Sequence, residues 1–300
     1  MTNKFLNYLK KTLACGLIIV MFSPLISDIY NKIKQQLFIN TKTKITQEYN
    51  ITSLHNHTDC SDGHVSIEWV IKNSFNEDYS IISITDHDNE NCYNTLEFFS
   101  GIASNIYNFE INKINGYTLK IIDTFDIDKD NKKDILYLLR GCEIRTKEDY
   151  DVLGICYLKK PESQQPLEKV ISELEKQDSI IIAPHPATIN TYGMGEENVK
   201  KYAKSFDAIE LNGSLSFPCD FYYNSLKARN WGRKYNIPVV TNSDTHIKAS
   251  YFNNYAILLS KEGFDEQNIK DYIKEKINKE KYKNIEIQPN SLSLYLWRLF

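Results

Sequence analysis

Three hundred residues, 42% of them hydrophobic, suffice for one large domain or two small ones with a full core. A formal charge of −3 leaves no global basic footprint, so charge does not point to a nucleic-acid partner. No internal repeat or low-complexity tract is present, which excludes solenoid and fibrous architectures.

The chain opens with Lys4, Lys10 and Lys11, followed by an uncharged stretch over 12–27 that contains Leu17-Ile18-Ile19-Val20-Met21-Phe22. That layout predicts a transmembrane or signal-anchor helix within residues 1–30. Its positive flank should stay cytoplasmic, leaving the rest of the chain membrane-anchored and extracytoplasmic. No small-x-small cleavage site stands near Ser27, so anchoring is expected over secretion after cleavage. The polar stretch 31–49 suits a linker between membrane and domain.

Over 50–290, short β-branched or apolar runs alternate with helical patterns. Strands are expected at 51–54, 81–85, 135–139, 152–156, 180–183, 208–211, 239–241 and 255–259. Helices are expected at 67–76, 91–99, 166–176, 196–204, 221–235 and 265–279. Pro166 suits a first helical position and Asp265 an N-cap. Alternation of this kind predicts an α/β domain with a mostly parallel sheet. Ligand-type residues follow several different strands, which favours a barrel rim over the single switch point of an open sheet.

Five of the six histidines fall in His55-Asn56-His57, Asp86-His87, His185-Pro186 and Asp244-Thr245-His246, and each segment ends a predicted strand. Asp62 returns in the turn after His57, and Gly141-Cys142-Glu143 adds a carboxylate. Imidazole with carboxylate is a ligand set for Zn²⁺, Mn²⁺ or Fe²⁺, and with open positions it is hydrolytic machinery. One strand-end histidine is usually a structural residue, and Asp86 alone could cap the next helix. Five ordered segments are a different matter.

In order and spacing these residues resemble the PHP (polymerase and histidinol phosphatase) family over residues 51–260. The resemblance implies a distorted (β/α)7-type barrel binding two or three divalent ions (Mn, Zn or Fe) at the strand C-termini. It implies His55, His57, Asp62, His87, Glu143, His185, Asp244 and His246 as ligands, with Glu143 bridging. It further implies a metal-dependent phosphoesterase that hydrolyses phosphomonoesters or phosphodiesters, of small phosphates or nucleotides, by metal-activated hydroxide. Arg145, two residues beyond Glu143, is placed to bind phosphate bidentately. Asp88 is a candidate proton carrier or the start of the following helix, and His64 and Asn212 are candidates for touching substrate. Two alternatives stand beside this reading, an amide or carbamate ester hydrolase of the same family and a non-catalytic metal-binding module. No protein partner is indicated.

A second signal lies in a hairpin expected near 119–139. Asp126, Asp128, Asp130 and Asp134 have the spacing of a calcium loop. Tyr137 stands where an EF-hand needs glutamate, so the expectation is a calcium loop between two strands, set against a solvated acidic turn. Five cysteines beyond Cys15, with no CxxC, suggest neither a dense disulfide framework nor a zinc ribbon. Residues 291–300 form an apolar tail.

Overall fold

The computed structural model describes residues 45–101, 109–128, 133–188, 192–212, 218–246 and 255–286. The expected anchor at 1–30, most of the linker, Asp130 and the apolar tail lie outside them. Among the described residues no helix is long and apolar enough to cross a membrane.

The elements are β1 (Tyr49–Ser53), α1 (Ile67–Asn76), β2 (Tyr79–Ile84), α2 (Asn91–Phe99), β3 (Phe109–Asn115), β4 (Thr118–Asp123), β5 (Ile135–Arg145), β6 (Asp151–Ile155), α3 (Leu167–Glu175), β7 (Ile180–Ala183), α4 (Gly195–Lys201), β8 (Ala208–Asn212), α5 (Pro218–Tyr235), β9 (Val239–Asn242), β10 (Tyr255–Ser260), α6 (Ile269–Asn278) and β11 (Tyr282–Glu286). Two helical starts have side-chain caps. The Ser66 side chain accepts a hydrogen bond from Trp69 N before α1, and Asp265 accepts one from Gln267 N before a short 3₁₀ turn that leads into α6.

The strands form one mixed sheet in the order β11-β10-β1-β2-β5-β6-β7-β8-β9, with the β3–β4 hairpin added on β5. The sheet is less parallel than the alternating pattern predicts. β1–β2, β2–β5, β7–β8 and β8–β9 are parallel, whereas β6 and β10 run against both of their neighbours. β5 is long enough to serve two partners on one side, pairing with β4 through its first half and with β6 through its second. A short β5–β6 connection reverses the chain with no helix between, and that is why the repeat breaks there.

Side-chain alternation explains the unbroken isoleucine runs. Ile81 packs into one cluster with Leu54, Leu139, Leu153, Ile182 and Val240, while Ile82 and Ile84 pack on the other face with Val70, Ile71 and Phe75 of α1. Ile180 and Ile182 likewise face the first cluster, and Ile181 faces α3. Strands covered on both faces need apolar residues at every position.

The ends of the sheet meet through side chains. Asn284 of β11 donates to Val239 O at 2.7 Å and accepts from Thr241 N at 3.1 Å, and the Tyr282 hydroxyl donates to Val239 O at 3.0 Å. These groups occupy the edge of β9 and leave a nearly closed barrel. Asn284→Ala should therefore strand the Thr241 amide, while Tyr282 still serves Val239 O, lowering unfolding free energy by about 1–3 kcal/mol. Urea denaturation of the two proteins measures it, and an unchanged midpoint would remove this seam as a source of stability.

Candidate metal centre

The strand pairing continues past the strand ends and carries the candidate ligands with it. Beyond β1, Asp244 N bonds His55 O at 3.1 Å, and His57 N bonds Thr245 O at 3.0 Å. Thr85 N bonds Asn56 O at 2.9 Å, and Glu143 N bonds Thr85 O at 3.1 Å. His55, His57, His87, Glu143 and Asp244 are thus set by a backbone ladder, not by free loops. Gly141 makes the β2–β5 step possible, since a Cβ there would lie 2.3 Å from Ser83 Oγ and 2.8 Å from Thr85 Cγ2. His185 and Asp244 hold positive φ values of 27° and 47°, backbone that costs non-glycine residues about 1–3 kcal/mol.

The side chains converge. His55 Nε2 and His57 Nε2 are 3.0 Å apart, each 3.1 Å from Glu143 Oε2, and Asp244 Oδ1 lies 3.3 and 3.1 Å from them. The second Glu143 oxygen, Oε1, lies 2.9 Å from His185 Nε2. Asp62 faces the other side of the group, with His57 Nδ1 and His87 Nε2 at 3.5 Å and His246 Nε2 at 3.3 Å. Two sets of donors result, each spanning no more than 4.8 Å: His55, His57, Glu143 and Asp244, and His57, Asp62, His87 and His246. Most of this is dry: His55 and His57 are fully buried, and Glu143 is 1% exposed.

The electrostatics belong to a cation site. Burial opposes a charged ring at His57, but hydrogen bonds and charge from Asp244 and Glu143 outweigh it and push the ring up to about 10. His185, also buried, is lifted to about 9 by Glu143. His55 rises well above its ordinary value because Asp244, Glu210 and Glu143 overcome burial. Burial dominates at His87, which is lowered. Despite their own burial, Glu143 is held well below the carboxylate range by His55 and His87, and Asp244 by His55 and His246. Nδ1 of His57, His87 and His185 is buried and makes no hydrogen bond. Buried carboxylates among imidazoles with unused nitrogens are the donor set of divalent Mn, Zn or Fe, so the residues fit such ions.

Glu210 is a residue the sequence reading missed. It is fully buried and lies 2.8 Å from His55 Nδ1; it also accepts from His185 N at 3.1 Å and Asn242 Nδ2 at 3.0 Å. A glutamate between Ile209 and Leu211 in a buried strand was its signal. Asp86 does not cap the next helix; its carboxylate accepts from Thr58 N, Thr58 Oγ1 and Ser61 Oγ and shapes the loop that carries Asp62. That loop is also tied to α2 by a Cys60–Cys92 disulfide, a single pair that the cysteine count neither pointed to nor forbade.

The remaining candidates are spread around the rim. Arg145 pairs with Asp151, Nε to Oδ1 at 2.5 Å and Nη2 to Oδ2 at 3.2 Å, and its guanidinium stacks on the Tyr192 ring. Burial and the nearby Glu143 charge push Asp151 up to about 7. Asp88 does not start α2, where Asn89 Oδ1 accepts from Asn91 N; it accepts instead from Arg145 N at 2.8 Å and Ser163 Oγ at 2.5 Å. His64 is exposed and joined to the site through its amide, which donates to His246 O. Asn212 ends β8 opposite Asn242. In the acidic connection between β4 and β5, Asp123, outside the predicted set, accepts from Phe125 N and Ile127 N. Asp126, Asp128 and Asp134 enter none of the candidate metal groups among the described residues.

No family model and no curated protein matches the chain. Solved structures do match in fold. A two-domain protein from Bacteroides vulgatus, containing a predicted PHP-like metal-dependent phosphoesterase, aligns at TM-score 0.52 and 15% identity, over 83% of this chain and 69% of its own. PsfC from Pseudomonas syringae aligns at 0.57 and 11%, over 84% and 98%. The lesion-specific endonuclease EndoQ of Pyrococcus furiosus aligns at 0.51 and 15%, over 79% of this chain and 57% of its own length. The barrel is therefore the fold of PHP-like phosphoesterases.

These shifts fix a pH dependence. His57 and His185 bind their protons more tightly folded than at the ordinary value of 6.5, so the stabilisation is complete below that value and is lost as pH rises through about 9 to 10. Divalent cations must displace the same protons, so their affinity should rise over that interval. Melting curves of chelator-treated and Mn²⁺-loaded protein should diverge from pH 6.5 to 10, the first falling while the second holds. Parallel curves would count against the cation site.

Proposed function

We propose that the protein is a metal-dependent hydrolase of phosphoric esters, cleaving phosphomonoesters or phosphodiesters of small phosphates or nucleotides. The observation that carries it is the meeting of His55, His57, Glu143 and Asp244 within 4.8 Å at the mouth of a PHP-type barrel. Two or three divalent ions held there would supply Lewis acidity for the phosphoryl oxygens and lower the pKa of water.

The chain's own residues do the rest. Glu143 presents one oxygen to His55 and His57 and the other to His185, the position of a bridging carboxylate. Glu210 fixes the His55 ring by accepting from Nδ1–H, which would leave Nε2 to a cation shared with Glu143 and Asp244. Asp62, His87 and His246 provide the donors of the second group. Arg145 gives two of its five N–H donors to Asp151, and the others can receive a phosphate oxygen. The Arg145–Asp151 pairing also favours a second reading, amide or carbamate ester hydrolysis, because a neutralised arginine attracts an anionic substrate less strongly.

The same proposal places the domain outside the cytoplasm, anchored by residues 1–30. The Cys60–Cys92 disulfide supports it, since such bonds persist in oxidising compartments.

The test is metal content of protein purified without chelator, with hydrolysis of p-nitrophenyl phosphate and bis-p-nitrophenyl phosphate. Bound Mn, Zn or Fe and turnover abolished by His185→Ala are expected, and the preferred reporter separates monoester from diester chemistry. Glu210→Gln should cost about 10- to 100-fold in metal affinity or activity. Bound metal with no turnover of either phosphate ester would transfer the assignment to amide or carbamate substrates.

A further inference from the structure

We propose that Tyr192, stacked on Arg145 at the rim of the metal centre, is a shelf for a nucleobase, so that the ester cleaved is a nucleotide's. The inference rests on the reading of the site as a phosphoesterase and narrows its substrate to one class.

Tyr192 is 48% exposed, yet its place is fixed from three directions. Its carbonyl accepts from Asp151 N at the start of β6, at 3.0 Å. The adjoining Gly193 lies hard against the turn after the candidate ligand His185. A Cβ there would stand 2.6 Å from Thr188 Oγ1 and 2.9 Å from His185 O. The Arg145 guanidinium, its carbon 3.1 Å from the ring centre, covers one face of the ring. That arginine is itself held by both oxygens of the buried Asp151. With one face on Arg145, the exposure of Tyr192 belongs to its other face and its edge. A ring held in this way loses little freedom when a planar group lies on it, and the cation beneath adds to the stack.

The position of the ring decides what that planar group is. His87, Glu143 and Asp151 each offer a ligand atom within 4.8 Å of the others. Contacts therefore run from Glu143 through Asp151 and Arg145 to Tyr192. An aryl phosphate carries its ring on the ester oxygen, so a phosphoryl group at Glu143 would hold that ring against the metal ligands. In a nucleotide the ribose stands between, and base and phosphate reach both places at once. Arg145 lies between them with N–H donors left for the phosphate. Every base has a π-face, so the shelf selects nucleotides over sugar phosphates without choosing among bases.

The test uses the full chain loaded with Mn²⁺ and two phosphonates whose P–C bond resists hydrolysis. They are the methylene analogues of adenosine 5′-monophosphate and of ribose 5-phosphate. Calorimetry should show wild type binding the adenosine compound more tightly. Tyr192→Ala should lose about 5- to 150-fold in affinity for it, the effect of one base stacked on an aromatic side chain, and keep its affinity for the ribose compound. Tyr192→Phe should retain the wild-type preference, which a role through the hydroxyl would not allow. If Tyr192→Ala does not fold, Tyr192→Leu, with bulk but no π-face, should show the same loss. No binding of either compound by wild type, equal affinity for both, or an equal loss for both in the variant would overturn the shelf. Rates with the parent phosphates separate this from the underlying reading. Hydrolysis of both with equal efficiency would keep the phosphoesterase and remove the shelf. A base preference that depends on Tyr192, without hydrolysis of any phosphate ester, would keep the shelf and remove the phosphoesterase.

Discussion

Everything at the mouth of this barrel depends on burying carboxylates. Glu143 and Asp244 are 1% and 5% exposed, and Glu210 is fully enclosed. Anionic oxygens withdrawn from water are strongly unfavourable unless matched by positive charge and hydrogen bonds. Five imidazoles pressed on Glu143 and Asp244 provide that match, through protons or divalent cations. Because protons and cations compete for the same nitrogens, protonation, metal loading and stability are one equilibrium.

Such a site needs a rigid frame, and the fold supplies it by extending strand pairing beyond the strands. Backbone bonds from Asn56 to Thr85, from Thr85 to Glu143 and from His55 to Asp244 fix the ligand backbone across four chain segments. The hydroxyls and amides behind them are also bonded: Asn56 Nδ2 reaches Ser53 O and Ser83 O, and Ser243 Oγ lies 2.7 Å from Thr245 Oγ1. Ligands held in this way stay in place with like groups about 3 Å apart, where flexible loops would let them separate.

The parts of the architecture that follow from local chemistry were legible in the sequence. α1 and α2 fall at the predicted 67–76 and 91–99, and β7 coincides with its isoleucine run. β3 and β11 were missed because Phe109–Asn115 and Tyr282–Glu286 are rich in Asn, Lys and Glu. Strands of that composition are recognisable only from their partners in the sheet. The eight pattern residues could be picked out because chemistry fixes their types. Glu210 was not, since one buried acid in a strand acquires meaning only from what the fold sets beside it. The reversed strands β6 and β10 are equally a matter of pairing, which hydrophobic alternation does not encode.

The Cys60–Cys92 bond has a bearing on which metals the mouth admits. Asp59, Cys60 and Cys92 could together hold an ion if the sulfurs were thiolates. Joined to each other, neither sulfur carries the negative charge that soft metals seek. The loop that presents Asp62 therefore offers harder oxygen and nitrogen donors only. Oxidation of this one pair removes a soft-metal position beside a centre suited to manganese, iron or zinc.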